Sequence, residues 1–447
     1  MKKIRIGSGA GYAGDRLEPA LELIEKGNIE YICFECLAER TIAIAQQEKL
    51  KNPSKGYNNL LEYRMEKVLP LAWKNNVKVI TNMGAANPVA GAEIIAKIAS
   101  NLGIKGIKIA AVIGDDVKDN IEKYKDVLVW ETGNSLGELD GEIVSANAYL
   151  GVEGIIEALE MGADVIITGR VADPAIFMAP LIYEFGWSLN DYEMLGKGTL
   201  VGHLLECGGQ ATGGYYAEPG KKDVEGLGKL GFPIAEVLED GNFIITKVEG
   251  SGGIVNRHTL TEQLIYEIHD PSNYITPDVI ADFSKVEFHQ EGKDIVSVSG
   301  AGGKEKTGSY KVSIGYKDCY IGEGEISYGG PGAYERGLLA QEIVKERLEI
   351  RGVKFDEIKF DLLGVNSLYW NEDKDYIKPE EVRVRVSART KDKAAAAVIG
   401  EEVETLYTNG PAGGGGATKK VAEIISVASI LIPKEDVKIQ VKILEVN

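Results

Sequence analysis

The stretch Gly202–Tyr215, read GHLLECGGQATGGY, sets the densest group of reactive side chains in the chain beside nearly bare backbone. A helix-like run carries His203, Glu206 and Cys207 and empties at once into a loop containing Gly208, Gly209 and Gln210. On a helix, His203 and Cys207 stand four residues apart and share a face, with Glu206 beside them. The loop glycines let the main chain approach a ligand closely and point N–H groups at it.

Three chemistries fit these residue types. Glu206 or His203 could act as general base in a hydration, dehydration or retro-aldol step, with loop N–H groups holding the enolate oxygen. Cys207 could be a nucleophile activated by His203. His203 and Cys207 could instead share a metal with a third ligand from elsewhere in the chain. Beside them stands a structural reading, in which Leu204 and Cys207 face the core and GGQATGG is a tight connection. Gln210 would then either orient a substrate carbonyl or bond its own loop.

Elements must hold this stretch in place. Residues 1–185 alternate short apolar strands with helical patterns, for example Lys3–Gly7, Tyr31–Glu35, Val77–Met83, Ile107–Gly114 and Asp164–Gly169. That alternation predicts an α/β fold, a doubly wound and largely parallel sheet with ligands bound beyond the carboxyl ends of its strands. The polar residues after each strand then share a rim. They are Gly9, Gly11, Asp15 and Arg16 in GSGAGYAGDR; Cys33, Glu35, Cys36, Glu39 and Arg40 in CFECLAERT; Asn87 in NMGAANP; and Arg170 and Asp173 in GRVADPA.

A carboxylate near a strand end, such as Glu35 or Glu39 beside Arg40, can be tuned for acid–base work. Arginine at a strand end can clamp a carboxylate, or it can pair with the nearby Asp173. Asn87-Pro88 and Asp173-Pro174 also fit a helix cap followed by proline, which needs no function. Tyr12 stands where the dinucleotide fingerprint wants its last glycine, so the first loop reads better as an anion cradle than as a nicotinamide site. Cys33-x-x-Cys36 has no second pair to complete a zinc site and reads as core filler.

From about 190 to 350, β-branched residues separated by glycine turns predict a hairpin-rich α+β region, with Asn256 among its polar loop residues. Beyond Gly352 a compact α+β tail holds the loop NGPAGGGGA (409–417) and the cleanly alternating KIQVKILEV. The expected divisions are thus 1–190, 191–352 and 353–447.

Composition sets outer limits. A chain of 447 residues implies more than one core. Net charge of −18 argues against nucleic acid or an anionic membrane as partner. Four cysteines fit reduced thiols, and a strand follows Met1-Lys2-Lys3 directly, so a cytoplasmic location is expected. No apolar run reaches the ~20 residues of a membrane span.

In order along the chain, GSGAGYAGDR, CFECLAERT, NMGAANP, ITGRVADPA, GHLLECGGQATGGY and NGPAGGGGA resemble the acyclic terpene utilisation (AtuA) family. The resemblance covers the whole chain. It implies a long N-terminal domain to about 350 followed by a ferredoxin-like one, and a lyase or hydratase acting on a branched or hydroxylated acyl-CoA. The expected enzyme takes a small anionic acyl substrate by proton chemistry and forms a homo-oligomer. The resemblance names no cofactor beyond a CoA thioester as substrate, and a divalent metal is left open. The alternatives are an NAD-dependent dehydrogenase and a non-catalytic subunit of an acyl-CoA enzyme complex.

Overall fold

The computed structural model describes residues 2–369 and 378–447. It divides into two compact units: one of Met1–Leu139, Ile143–Gly315 and Val427–Asn447, the other of Asp140–Glu142 and Tyr316–Ser426.

The first unit opens with β1 (Lys3–Ala10), α1 (Glu18–Lys26), β2 (Tyr31–Phe34) and α2 (Glu39–Lys51). It continues through α3 (Leu61–Asn75), β3 (Lys78–Thr81), α4 (Pro88–Asn101) and β4 (Lys108–Ile113). Next come β5 (Ile143–Ala148), α5 (Glu153–Glu160), β6 (Val165–Thr168), α6 (Ala175–Phe185) and α7 (Tyr192–Glu206). Strands β7 (Pro233–Leu238) and β8 (Phe243–Lys247) form a hairpin, followed by α8 (Arg257–Ile265). Short strands follow: β9 (Tyr274–Ile275), β10 (Ile280–Asp282), β11 (Glu287–Gly292), β12 (Ile295–Ser299) and β13 (Gly302–Lys304).

Strand β14 (Ser309–Gly329) leads to α9 (Ala333–Arg351), β15 (Glu357–Leu363), β16 (Glu381–Thr390), α10 (Lys393–Glu404) and α11 (Leu406–Asn409). The long β17 (Gly415–Pro433) follows, and β18 (Gln440–Glu445) returns to the first unit.

The large sheet has ten strands in the order β11-β12-β8-β7-β1-β2-β3-β6-β4-β18. Its central five, β1, β2, β3, β6 and β4, run parallel. The rest pair antiparallel, so the sheet is mixed rather than largely parallel. The reason is local: β7–β8 and β11–β12 are joined by turns too short for a crossover and can only be hairpins. The KIQVKILEV strand pairs with the free edge of β4, from Gln440↔Ile113 to Glu445↔Lys108. Alternation announced that strand but not its distant partner.

Parity along the strands sorts the core. Ile32, Phe34, Val79, Ile109 and Ile167 join Leu23, Leu61, Met65 and Ile95 of α1, α3 and α4 in one cluster. Cys33, of the opposite parity, donates its thiol hydrogen to the Ile176 carbonyl of α6 at 3.2 Å. Strands buried on both sides explain the uninterrupted apolar reading of YICF. Cys36 receives the Arg64 guanidinium at 2.9 Å. Burial pushes both thiols up, that of Cys36 to about 12.

Helix α7 starts where the Asp191 side chain accepts from the Met194 N–H at 3.2 Å, as an N-cap does. It ends before Gly208, whose φ of +54° is the left-handed conformation that stops a helix. Among the described residues no helix is long and apolar enough to cross a membrane.

In the second unit the antiparallel strands β15, β16 and β14 are in register from Tyr320↔Thr390 to Gly329↔Glu381 and from Glu357↔Arg389 to Leu363↔Arg383. Ala340, Val344 and Leu348 of α9 and Ile399 and Val403 of α10 cover Val382, Val384 and Val386 of β16.

Candidate active site

A cavity of about 700 Å³ opens in the first unit beyond the carboxyl ends of β1 and β2, against the end of α7. Its wall takes Gly11, Tyr12, Asp15 and Arg16 after β1, Glu35, Cys36 and Glu39 after β2, and Asp173 after β6. Glu206, Cys207, Gly209 and Gln210 close one side, and Tyr266 and Glu267 another.

Two glycines allow this convergence. A Cβ on Gly11 would fall 2.4 Å from the carbonyl carbon of Cys207, so any side chain there would hold the two loops apart. Gly208 presses back on the same point, where an added Cβ would lie 2.9 Å from the Gly11 nitrogen. The Gly11 N–H donates to Asp15 Oδ2 at 2.8 Å, and the Arg16 N–H to Asp15 Oδ1 at 2.8 Å. Those two donors are therefore engaged within the loop rather than left for an anion. The Arg16 guanidinium donates to the Leu227 carbonyl at 2.8 Å.

Glu35 is 8% exposed. Its Oε1 accepts from the Leu37 N–H and from Asn82 Nδ2, both at 2.9 Å. Burial, reinforced by the Asp173 charge, pushes its carboxyl up to about 8 against the opposing pull of Arg170 and those two donors.

Glu206 Oε1 lies 2.9 Å from Nδ1 of His203, which is 2% exposed. The imidazole Nε2 is 3.1 Å from the Leu264 carbonyl, which can only accept, so Nε2 carries a hydrogen. One further proton is then shared between Nδ1 and the carboxylate. Phe283 stacks on the ring at 5.8 Å and Tyr274 flanks it at 5.5 Å, fixing its plane. Burial pushes Glu206 up to about 7 even against the His203 hydrogen bond and charge, and its Oε2 is buried without a hydrogen-bond partner among the described residues. Burial alone would lower His203, but the hydrogen bond and charge of Glu206 raise it on balance.

Behind the wall stands Arg170, 1% exposed. Its Nη1 donates to the Leu37 carbonyl, and its Nη2 to Asp173 and, at 2.7 Å, to the Val171 carbonyl. The guanidinium lies 4.5 Å from the Tyr149 ring centre. The Tyr149 hydroxyl donates to Glu39, which also has Lys311 at 3.3 Å. Glu39 ends low, at about 2: burial pushes it up, but Tyr149, Lys311 and Arg170 outweigh burial. Asp173 is raised by burial, opposed by Arg170 and helped by Glu39.

Of the residues singled out by sequence, Glu35, Glu206, Cys207, Gly11, Asp15, Arg16, Asp173, Gly209 and Gln210 share this cavity. His203, Gly208 and Arg170 stand behind it and hold residues of its wall. The others sit elsewhere. Gly9 makes room for the Phe34 ring, which an added Cβ would approach to 2.6 Å. Arg40 is exposed in the first turn of α2. Asn87 caps α4 and donates to the Pro53 and Lys55 carbonyls at 2.9 and 2.8 Å. Asn256 caps α8, accepting from His258 and Thr259 N–H groups at 2.8 and 2.9 Å.

Polar wall residues without an assigned role include Glu39, Tyr266 and Glu267. Glu39 was visible on the rim, whereas Tyr266 and Glu267 lie in a turn after α8 with no motif to mark them. Glu267 holds an unusual φ of +59° there.

The geometry narrows the chemistry. Both His203 nitrogens are engaged, which leaves neither to activate Cys207 or to bind a metal. Burial and the Glu206 charge push the Cys207 thiol well up, away from the nucleophilic thiolate. Among the described residues no group of three or more His, Cys, Asp or Glu side chains is placed to hold a metal ion. The pair that remains suited to moving protons is Glu206, backed by His203, and Glu35.

Comparison with curated proteins and with solved structures finds no match. A family model described as acyclic terpene utilisation family protein AtuA matches residues 4–443, from β1 through both glycine loops of the cavity to β18. With that match spanning nearly its full length, the chain belongs to the acyclic terpene utilisation (AtuA) family.

Proposed function

We propose that this chain is a lyase or hydratase working by acid–base chemistry on a small branched or hydroxylated acyl compound, such as an acyl thioester. The observation that carries this is two buried carboxyls in one cavity, both raised into the neutral range, one of them sharing a proton with an imidazole. Carboxyls tuned in this way suit proton transfer at neutral pH.

In the dehydration direction, Glu206, with the shared proton held on His203 Nδ1, takes the proton from the carbon beside the acyl carbonyl. The electron pair of the broken C–H bond forms the C=C bond. The β-hydroxyl leaves as water with the proton that Glu35 supplies. The Gly209–Gln210 loop borders the same space and supplies polar groups toward the carbonyl oxygen.

The wall disfavours a free carboxylate at the reacting end, so an anionic portion of the substrate belongs outside the cavity. Family membership supplies the context of acyclic terpene use and favours a branched acyl chain. The helices on opposite parities of the central strands support a doubly wound reading of that part of the sheet. The order β14-α9-β15-β16-α10-β17 supports a ferredoxin-like reading of the second unit.

The test is a panel of 3-hydroxyacyl and enoyl thioesters in D2O, with deuterium incorporation beside the carbonyl and double-bond formation followed by NMR. Glu206→Gln and Glu35→Gln should each lower turnover by about 10²–10⁴-fold. Turnover should rise as Glu206 loses its proton near 7 and fall as Glu35 loses its own near 8, giving a bell between. Full activity in both variants would overturn the assignment. Saturable NAD(H) binding with hydride transfer would establish the dehydrogenase in its place.

A further inference from the structure

A second hollow opens from the first. Ala13, Cys36, Leu37 and Thr41 border the cavity and also border a groove of about 260 Å³ between α2 and the segment leading into α3. Cys36 and Leu37 directly follow Glu35, so the groove begins beside one of the two carboxyls assigned to proton transfer.

The groove differs from the cavity in kind. Among the described residues its lining carries one charged side chain, Glu48, which Asn59 Nδ2 approaches at 3.5 Å. Polar groups further in are spent on the protein itself. The Thr41 hydroxyl donates to the Ala38 carbonyl and accepts from the Ala38 N–H, both at 2.8 Å. The Tyr57 hydroxyl donates to Glu62 at 2.9 Å, and Asn58 Oδ1 accepts from the Leu60 N–H at 2.8 Å. Cys36 already receives the Arg64 guanidinium and keeps its proton up to about 12.

Hydrocarbon is what remains. Leu37, Ala45 and Ala85 on the groove wall belong to a small buried cluster separate from the main core. Beside them Ile44 is 42% exposed and Leu60 37% exposed, apolar surface that the fold leaves in water. An apolar chain laid there displaces water without stripping a hydrogen bond from the protein.

We propose that this groove is a tail subsite of the cavity: it receives the hydrocarbon end of the substrate, and Ile44 and Leu60 set the favoured chain length. A chain whose reacting end meets Glu35 and Glu206 passes Cys36 and Leu37 and lies along α2. The proposal rests on reading the cavity as the active site, but it concerns the end of the substrate remote from the broken bond.

The test follows binding of saturated acyl N-acetylcysteamine thioesters, from butanoyl to decanoyl, to the full-length protein by NMR. With no hydroxyl to lose, these probes report binding apart from the elimination. Each added methylene should tighten binding about two- to fourfold, until the chain reaches the rim at Glu48 and Asn59 and the gain stops. Ile44→Trp fills the groove from a position already open to solvent. It should cut the decanoyl-to-butanoyl affinity ratio about tenfold or more with the melting temperature unchanged. Leu60→Gln should cut that ratio about threefold. Leu102→Trp, at an equally exposed apolar position after α4 and outside the groove, should leave the ratio as it is.

Affinity independent of chain length overturns the proposal, and so does the absence of saturable binding by every member of the series. A length dependence that Ile44→Trp leaves intact, or that Leu102→Trp abolishes equally, also overturns it, because the chain then lies elsewhere. If Ile44→Trp melts early, Leu60→Gln decides in its place. The two readings fail separately. If the length dependence holds and Glu35→Gln and Glu206→Gln keep full turnover, the acid–base assignment falls alone. If those variants lose turnover and the length dependence is absent, only the tail subsite falls.

Discussion

A carboxyl kept from water holds its proton to higher pH, and Glu35 turns that into a stability effect that can be measured. Its folded value of about 8 stands above the ordinary 4.5. Below 4.5 both folded and unfolded chains are protonated and the group contributes no difference. Between 4.5 and 8 the unfolded chain gives up the proton first, so rising pH favours unfolding. Glu35→Gln keeps an oxygen for Leu37 N–H and Asn82 and removes the titration. Denaturant titrations should show wild type losing more stability from pH 5 to 8 than the variant, in which Glu206 still titrates, with the gap between them growing to on the order of 1–3 kcal/mol at pH 8. Parallel curves would mean that Glu35 is not held as described. At Gly11 the limit is steric: with 2.4 Å available to a Cβ, Gly11→Ala should cost about 1–3 kcal/mol and weaken binding in the cavity as the α7 loop is pushed off. A variant of wild-type stability that binds normally would count against the tight approach. Residue spacing in the sequence drew attention to His203 with Cys207 on one helix face. It could not tell that Glu206, three residues on, and the Leu264 carbonyl, sixty-one residues on, take both ring nitrogens.

Elements were legible where their signals are local. Helix α7 runs from Tyr192 to Glu206 between a cap at Asp191 and a stop at Gly208 that both lie in the local sequence, and α9 runs from Ala333 to Arg351 up to Gly352. What pairs with what was less legible, since β18 and β4 are hundreds of residues apart and alternation carries no partner's name. Caps illustrate the same divide. Asn256 looks like a polar loop residue in sequence, yet it accepts from two N–H groups that open α8. Asn256→Ala should therefore cost about 1 kcal/mol in chemical denaturation and leave ligand affinity unchanged. A loss of affinity without a loss of stability would return it to the substrate-binding set.

At the scale of the molecule, the ten-stranded sheet has an edge at β4 that only β18 covers. Six residue pairs, from Gln440↔Ile113 to Glu445↔Lys108, satisfy its backbone, and Leu444 and Val446 pack on the cluster that holds Ile107 and Ile109. Ending the chain at Asp436 would uncover an apolar parallel-core strand along its length, the arrangement most prone to pair with another molecule. The shortened chain should melt well below wild type and grow in light scattering as concentration rises. Leu444→Ala keeps the strand and removes only packing, so it should cost about 1–3 kcal/mol without aggregation. That pair of variants separates edge protection from core filling. A shortened chain that stays monodisperse and melts with wild type would mean that β18 merely lies along a sheet already complete at β4.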